Sequence, residues 1–259
     1  MLTTYATTLT TKEQLVGDVW RFEFTLDEGQ LDIKAGQYLL LKIGEFYRQY
    51  SISSPPSHNK SFEIIIEYIP KGIASLYLSQ LQVGQKAEFR GPAGVFILRD
   101  TPKDKIFLGT GTGIAPIKAM IQHRLSQQVA QMVTDQTNPL VEPMHRLNDL
   151  AGSPNLYLFF GLRYRQDVYL FDIFKKLAEE HKNFHFKLCL SREQSLEGLD
   201  GNHYVQGRVN AHIETLLQGK NPNDFEYYIC GGRQTVDSLR AFVEGFGVLK
   251  ENISFEIFT

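Results

Sequence analysis

The chain has 259 residues, 42% of them hydrophobic and 22% charged, with a net charge of −2. Those proportions describe a soluble globular protein with room for two ordinary domains. They exclude several classes: no long basic run points to nucleic acid or a membrane surface, no 18-residue apolar segment is present to span a bilayer, and two cysteines can neither frame a disulfide scaffold nor hold an iron–sulfur cluster.

Met1 to Thr11 is threonine-rich and lacks a basic patch followed by an apolar core. It does not read as a secretory signal, and a cytoplasmic location is expected. Up to about residue 100 the pattern is β. Val19 to Phe24, Phe62 to Ile64 and Lys86 to Phe89 alternate, and Tyr38 to Ile43 is an apolar run. Gly29, Gly36, Gly44, Gly72, Gly84, Gly91 and Gly94 punctuate these runs at the spacing of short barrel strands. One short helix, Ala74 to Gln80, follows Pro70-Lys71-Gly72.

Near Thr101-Pro102-Lys103-Asp104 the texture changes to alternating strands and helices. Strands are expected at Lys105 to Leu108, Asn155 to Phe160, Phe184 to Leu190, Glu226 to Cys230 and Ile253 to Phe258. Helices are expected at Ala115 to Leu125, Val168 to His181, Val209 to Leu217 and Thr235 to Phe246. Such alternation implies a parallel sheet covered on both faces. Residues 126–153 break the rhythm: they are polar, contain Pro139 and Pro143, and exceed an ordinary connection. They read as a surface excursion with one amphipathic turn, or as a lid or partner-docking element.

The densest chemistry lies in Arg48-Gln49-Tyr50-Ser51-Ile52-Ser53-Ser54-Pro55. A guanidinium can grip a phosphate pair bidentately. Tyr50, two residues on, shares its face of an extended chain and can stack on whatever Arg48 anchors. Ser51 offers a donor and an acceptor to a heterocycle edge. Gly72-Ile73-Ala74-Ser75 opens the short helix, where free N–H groups receive phosphate. Alone it reads as a glycine turn with a cap; with Arg48 it makes the other side of a pyrophosphate clamp.

Gly109-Thr110-Gly111-Thr112-Gly113-Ile114-Ala115-Pro116 stands between a strand and a helix. Its spacing departs from G-x-G-x-x-G, but the strand–turn–helix context is that of a nucleotide phosphate loop, and Pro116 suits a first helical turn. Ser191-Arg192-Glu193 ends a strand at the carboxyl edge, where open sheets bind ligands, and Tyr204 follows twelve residues after Arg192. Ser191, Arg192 and Tyr204 suit a 2′-phosphate with an adenine above it; Arg192 also reads as a solvated loop residue, and the direction of Glu193 stays open. Cys230-Gly231 ends the next strand, and Phe255 to Thr259 forms an aromatic strand.

Together these residues resemble the ferredoxin–NADP⁺ reductase family, with the motifs in the family's order from about residue 5 onward. Arg48-x-Tyr50-Ser51 is similar to the flavin signature, Gly72-x-x-Ser75 to the second pyrophosphate motif, and Gly111-Thr112-Gly113-x-x-Pro116 to the pyridine-nucleotide loop. Phe160-Gly161-x-Arg163 resembles the family's second strand end. Ser191-Arg192-Glu193-Gln194 with Tyr204 resembles the 2′-phosphate site of the NADP-preferring members. Cys230-Gly231 and Glu256-x-Phe258 resemble the nicotinamide-side cysteine and the terminal Glu-x-aromatic pair. Three features differ from the family pattern: Thr259 follows the terminal Phe258, Gly232-Arg233-Gln234 follows Gly231, and the excursion has no counterpart.

The resemblance implies an antiparallel Greek-key β-barrel for FAD at residues 1–101 and a Rossmann-like parallel-sheet domain for NADP, with NAD as the alternative, at 102–259. It implies hydride transfer to FAD lined by Ser51, Cys230, Glu256 and Phe258, then single-electron output to ferredoxin or flavodoxin, or the reverse. A reductase component of an oxygenase, a flavin reductase and a non-enzymatic nucleotide-sensing subunit are the alternatives.

Overall fold

The computed structural model describes residues 2–134 and 153–258. It divides into two compact units, Met1–Arg99 with Ile114–His123, and Asp100–Gly113 with Arg124–Thr259.

The first unit is an antiparallel sheet of six strands: β1 (Thr3–Val16), β2 (Val19–Leu26), β3 (Tyr38–Ile43), β4 (Phe46–Ser51), β5 (Ser61–Glu67) and β6 (Lys86–Ala93). Their order is β4-β3-β6-β1-β2-β5, and a bridge from Ile52 to Ile64 joins the two edges into a barrel. β1 serves two partners because it is long; register shifts at Leu9/Thr11 and Gln14/Val16 let it bend. Alternation points Leu9, Phe22, Phe24, Leu39, Leu41, Phe62, Ile64 and Phe89 inward, all essentially sealed from solvent. Phe89 stands edge-on to both Phe24 and Phe62, with centroids 4.9 Å apart, a favoured aromatic arrangement. Helix α1 (Ile73–Gln80) contributes the buried Ala74 and Leu78.

The second unit is a parallel sheet in the order β10-β9-β8-β7-β11-β12, built from β7 (Asp104–Thr110), β8 (Leu156–Leu162), β9 (Phe184–Leu190), β10 (Tyr204–Gln206), β11 (Phe225–Gly232) and β12 (Ile253–Phe258). Its central strands are nearly continuous apolar runs because both faces are covered. Helices α4 (Val209–Leu217) and α5 (Arg233–Gly245) bury Val209, Ile213, Leu217, Val236, Leu239 and Val243 against one face. Helix α3 (Phe171–Glu180) sets Phe174 against Phe184 and Phe186. At the amino edge Lys105 and Glu226 form a fully buried ion pair of 3.0 Å. It is tolerated because Thr101 and Lys103 accept the remaining ammonium hydrogens and Tyr228 donates to the carboxylate.

Helix α2 runs from Ile114 to Thr134, well past the expected end at Leu125. The first part of the excursion, 126–134, is therefore helix and not a surface loop. No glycine or proline interrupts the run after Pro116, and Leu125 and Gln128 are still buried, so nothing stops the helix there. Residues 135–152, and with them the choice between a lid and a docking element, lie outside the described residues. Where the sequence places one cut near residue 101, Ile114–His123 groups with the barrel. Lys118 reaches Glu63 and Ser53 there, and a Cβ on Gly36 would lie 2.3 Å from Met120 Cε. Among the described residues no helix is long and apolar enough to cross a membrane.

Candidate functional site

In the first unit the candidate residues gather where β4 meets β5. Register sets Arg48 opposite Leu41, Tyr50 opposite Leu39 and Ser51 opposite Tyr38. Arg48 is exposed; its guanidinium donates to the Tyr47 carbonyl at 2.9 Å, and among the described residues no carboxylate pairs with it. It is a fixed cation open to an anionic ligand. Tyr50 packs against the barrel core, and burial pushes its phenol up to about 12, against the pull of Arg48. Its hydroxyl therefore stays neutral, and Ser51 beside it is buried.

The chain beyond Ser51 is held by Glu63 of β5. Ser53 N–H donates to the Glu63 carbonyl, the Ser53 hydroxyl donates to its carboxylate at 3.1 Å, and Glu63 N–H donates to the Ser54 hydroxyl. Lys118 closes the network, 3% exposed, donating to Glu63 Oε1 at 2.7 Å and the Ser53 carbonyl at 3.1 Å. Burial pushes the Glu63 carboxyl up, but Lys118, Arg21 and Ser53 outweigh it and hold it below its ordinary value. The sequence reading missed Lys118. Its signal is a lone cation inside the apolar run Ile114 to Ile121, the mark of a buried, paired charge.

Helix α1 starts at Gly72 with no side-chain cap and no acidic residue in its first turn. Ser75 is turned back, its hydroxyl accepting from Ile69 N–H at 2.8 Å. The first turn, which includes Ala74, therefore leaves backbone donors for a phosphate, and a Cβ on Gly72 would come within 3.1 Å of the Ile69 carbonyl oxygen.

In the second unit the strand ends of β7 and β11 meet at the carboxyl edge of the sheet. A Cβ on Gly113 would stand 2.4 Å from the Cys230 carbonyl oxygen, and one on Gly231 would stand 2.3 Å from Thr110 Oγ1. Only glycine fits at either place. Gly111 adopts a φ of +52°, and its carbonyl accepts from the Tyr169 hydroxyl at 2.8 Å. Thr112 is half-buried; Pro116, buried in the first turn of α2, groups with the first unit. The turn carries no acidic residue, which suits a phosphate.

Cys230 lies opposite Glu256, and Gly232 opposite Phe258, across the parallel pair β11–β12. Burial first, and the Glu256 carboxylate second, push the Cys230 thiol well above 9.0. Glu256 and Phe258 are half-buried. Ser191 and Arg192 are exposed on the loop after β9, anchored through their N–H groups to the carbonyls of Leu162 and Arg163. Tyr204 departs from expectation. Its ring is only 9% exposed and packs against Phe171 at 5.2 Å, because β10 pairs it with Leu188. It is a core residue here and does not present an open stacking face. Glu193 is answered as well: its carboxylate accepts from Arg165 N–H at 2.9 Å.

Two family models match the chain, an oxidoreductase FAD-binding domain over residues 6–97 and an oxidoreductase NAD-binding domain over residues 107–240. One component of the Na(+)-translocating NADH-quinone reductase of Serratia proteamaculans is 26% identical over 80% of this chain and 44% of its own length. Ferredoxin–NADP reductase B of Sorangium cellulosum is 27% identical, covering 86% of this chain and 84% of its own. The chain spans about half the length of the first of the curated relatives it matches. Among solved structures, the Amycolatopsis cytochrome P450 reductase GcoB superposes with a TM-score of 0.79 at 24% identity, over 100% of this chain and 70% of its own. That likeness supports the fold.

Proposed function

The chain belongs to the ferredoxin–NADP⁺ reductase family of FAD- and NAD-binding oxidoreductases, and from that premise we propose that it is a flavoprotein reductase. It draws hydride from NADPH and delivers single electrons to a small redox protein such as ferredoxin or flavodoxin. The observation that carries the reading is the carboxyl edge of the second unit, where Gly113 and Gly231 let two strand ends approach too closely for any other residue.

The chemistry supplied by bound FAD is acceptance of an electron pair from a reduced pyridine nucleotide and its release one electron at a time. The chain's part is binding and electrostatics. Arg48 and the uncapped start of α1, from Gly72 through Ala74 to Ser75, hold the flavin pyrophosphate. Tyr50 packs as a neutral ring on the flavin, and Ser51 hydrogen-bonds at its edge. Gly111, Thr112, Gly113 and Pro116 receive the nucleotide's phosphates, and Ser191 and Arg192 receive the 2′-phosphate. Gly231 makes room for the nicotinamide, with Cys230, Glu256 and Phe258 beside it. Cys230 serves as an uncharged thiol.

The relatives' names divide between NADH and NADP, so the preference for NADPH rests on Arg192 and on Glu193 being engaged elsewhere. A reductase component of an oxygenase uses the same residues and differs only in its acceptor. The Arg48–Gly72 clamp favours tightly held flavin over a flavin reductase that releases it.

The test is anaerobic mixing of the purified yellow protein with NADPH and, separately, NADH, following the flavin absorbance. Fast bleaching by NADPH supports the reading. Equal bleaching by both discards the 2′-phosphate assignment, and a colourless protein that does not respond to added FAD discards the activity. Reduction of an added one-electron carrier then separates electron output from flavin release.

A further inference from the structure

Beyond Ser191 and Arg192, the loop after β9 contains a contact that bears on nucleotide choice. Glu193 follows Arg192 directly. An acidic side chain at a strand end of this kind takes a free ribose 2′-hydroxyl and repels a 2′-phosphate. Here Glu193 is not available for that. Its Oε2 accepts from Arg165 N–H at 2.9 Å and lies 3.4 Å from Arg165 Nε. The Glu193 carbonyl accepts from Gln206 Nε2 at 2.8 Å, which fixes the backbone from which the carboxylate turns.

Arg165 is itself fully directed. Its two terminal nitrogens donate to the carbonyls of Glu197, at 3.1 Å, and of Ser195. The guanidinium thus occupies the inside of the turn from Glu193 to Glu197. Arg192, by contrast, is exposed and makes no side-chain hydrogen bond or ion pair among the described residues. Two arginines near one glutamate have divided roles: one is spent on the carboxylate and the other is left free. The same contacts, with the Arg165 N–H first, hold the Glu193 carboxyl below its ordinary value, so it stays charged and keeps its partner.

We propose that Arg165 is a specificity-determining residue: by holding Glu193 away from the ribose it leaves Arg192 to act on a 2′-phosphate alone. The proposal rests on the NADPH reading. Releasing Glu193 would place a free carboxylate next to Arg192, to pair with it, repel a 2′-phosphate and accept from a 2′-hydroxyl.

The experiment is titration calorimetry of the purified full chain with adenosine 2′,5′-bisphosphate and with 5′-AMP, alongside kcat/KM for NADPH and NADH. Arg165→Ala keeps the backbone N–H to Glu193 but removes the guanidinium beside the carboxylate and its two loop carbonyl contacts. The loosened carboxylate is expected to weaken the bisphosphate by up to about fivefold, the upper range for an exposed charge contact, and an unchanged affinity overturns the proposal. The variant should leave 5′-AMP unchanged or tighter. The double variant Arg165→Ala/Glu193→Gln is expected to restore the wild-type ratio, since the neutral amide neither pairs with Arg192 nor repels phosphate. Equal loss for both ligands in Arg165→Ala overturns the proposal and assigns Arg165 to ordering the loop. A double variant no better than the single one overturns it too. Glu193→Gln alone, in which Arg165 keeps its two carbonyls, should hold the wild-type preference for the bisphosphate; loss of that preference counts against the proposal. A wild-type chain that binds both ligands equally sinks the NADPH reading itself, and the proposal with it.

Discussion

Lys118 Nζ lies 2.7 Å from Glu63 Oε1, and the lysine is 3% exposed. The pair sits under Ser53 and Ser54, directly after Arg48-Gln49-Tyr50-Ser51, the stretch proposed to hold flavin. Removing one partner strands the other in a dry site. Lys118→Met is expected to destabilise the chain by about 3–5 kcal/mol, read from denaturant unfolding, with flavin affinity falling because Ser51 to Ser54 lose their support. If stability stays within error of wild type, the pair carries no structural weight.

The same contact sets a pH dependence. The Glu63 carboxyl is held below its ordinary value of 4.5 in the folded chain. Its contribution to stability is therefore complete above about pH 4.5 and is lost as pH falls through the folded value. In Lys118→Met burial, already the largest single influence on that carboxyl, loses its main opponent and is expected to outweigh Arg21 and Ser53 and raise it, so the Glu63 contribution reverses sign, and protonation on acidification favours the folded state. Melting temperatures of both proteins between pH 3 and 7 check the two slopes.

Arg48→Ala removes an exposed guanidinium that no carboxylate neutralises among the described residues. A charge-assisted contact of roughly 1.5–3 kcal/mol corresponds to about ten- to a hundredfold weaker FAD binding. The ratio of flavin to protein absorbance after dialysis reads this directly, and an unchanged ratio removes Arg48 from the clamp.

Arg192→Ala is expected to lower kcat/KM for NADPH about tenfold or more while sparing NADH, as loss of a charged phosphate contact does. Equal falls for both nucleotides would reject the 2′-phosphate assignment.

Gly113→Ala drives a methyl to 2.4 Å from the Cys230 carbonyl oxygen, a backbone atom that has no rotamer to yield. The variant should lose about 1–3 kcal/mol of stability and bind nucleotide weakly. Gly219→Ala, where a Cβ meets nothing within 4 Å but φ is +73°, separates crowding from backbone strain.

Cys189 and Cys230 are both buried, the first with its thiol pushed up to about 12 and the second well above 9.0. Neither should react with iodoacetamide at pH 8 in the native protein, and both should react once it unfolds. Rapid native labelling of Cys230 would mean that its strand end opens.

The local code of the chain determined most of what is regular in the protein. Alternation, an apolar run and glycine punctuation located β2, β3, β5 and β6, and Tyr38–Ile43 came out with its observed bounds. The apolar runs from Lys105 onward specified the parallel strands because burial on both faces leaves no other composition. The glycine loop before α2 was legible because close backbone approach leaves a mark that only glycine can make. β1 escaped because threonine-rich alternation is faint, and β10 because three residues carry no periodicity.

What only the tertiary structure decided concerns partners distant in the chain. Sequence shows that Lys118 is a cation and Glu63 an anion, but not that 55 positions of chain fold back to join them. It shows Glu193 beside Arg192, but not that Arg165 holds it. It offers Tyr204 as a ring, and the pairing of β10 with β9 buries that ring. Charge and aromaticity belong to single residues and can be read in order. Whether a charge is free or spent, and whether a ring is open or covered, depends on neighbours that only the folded chain supplies.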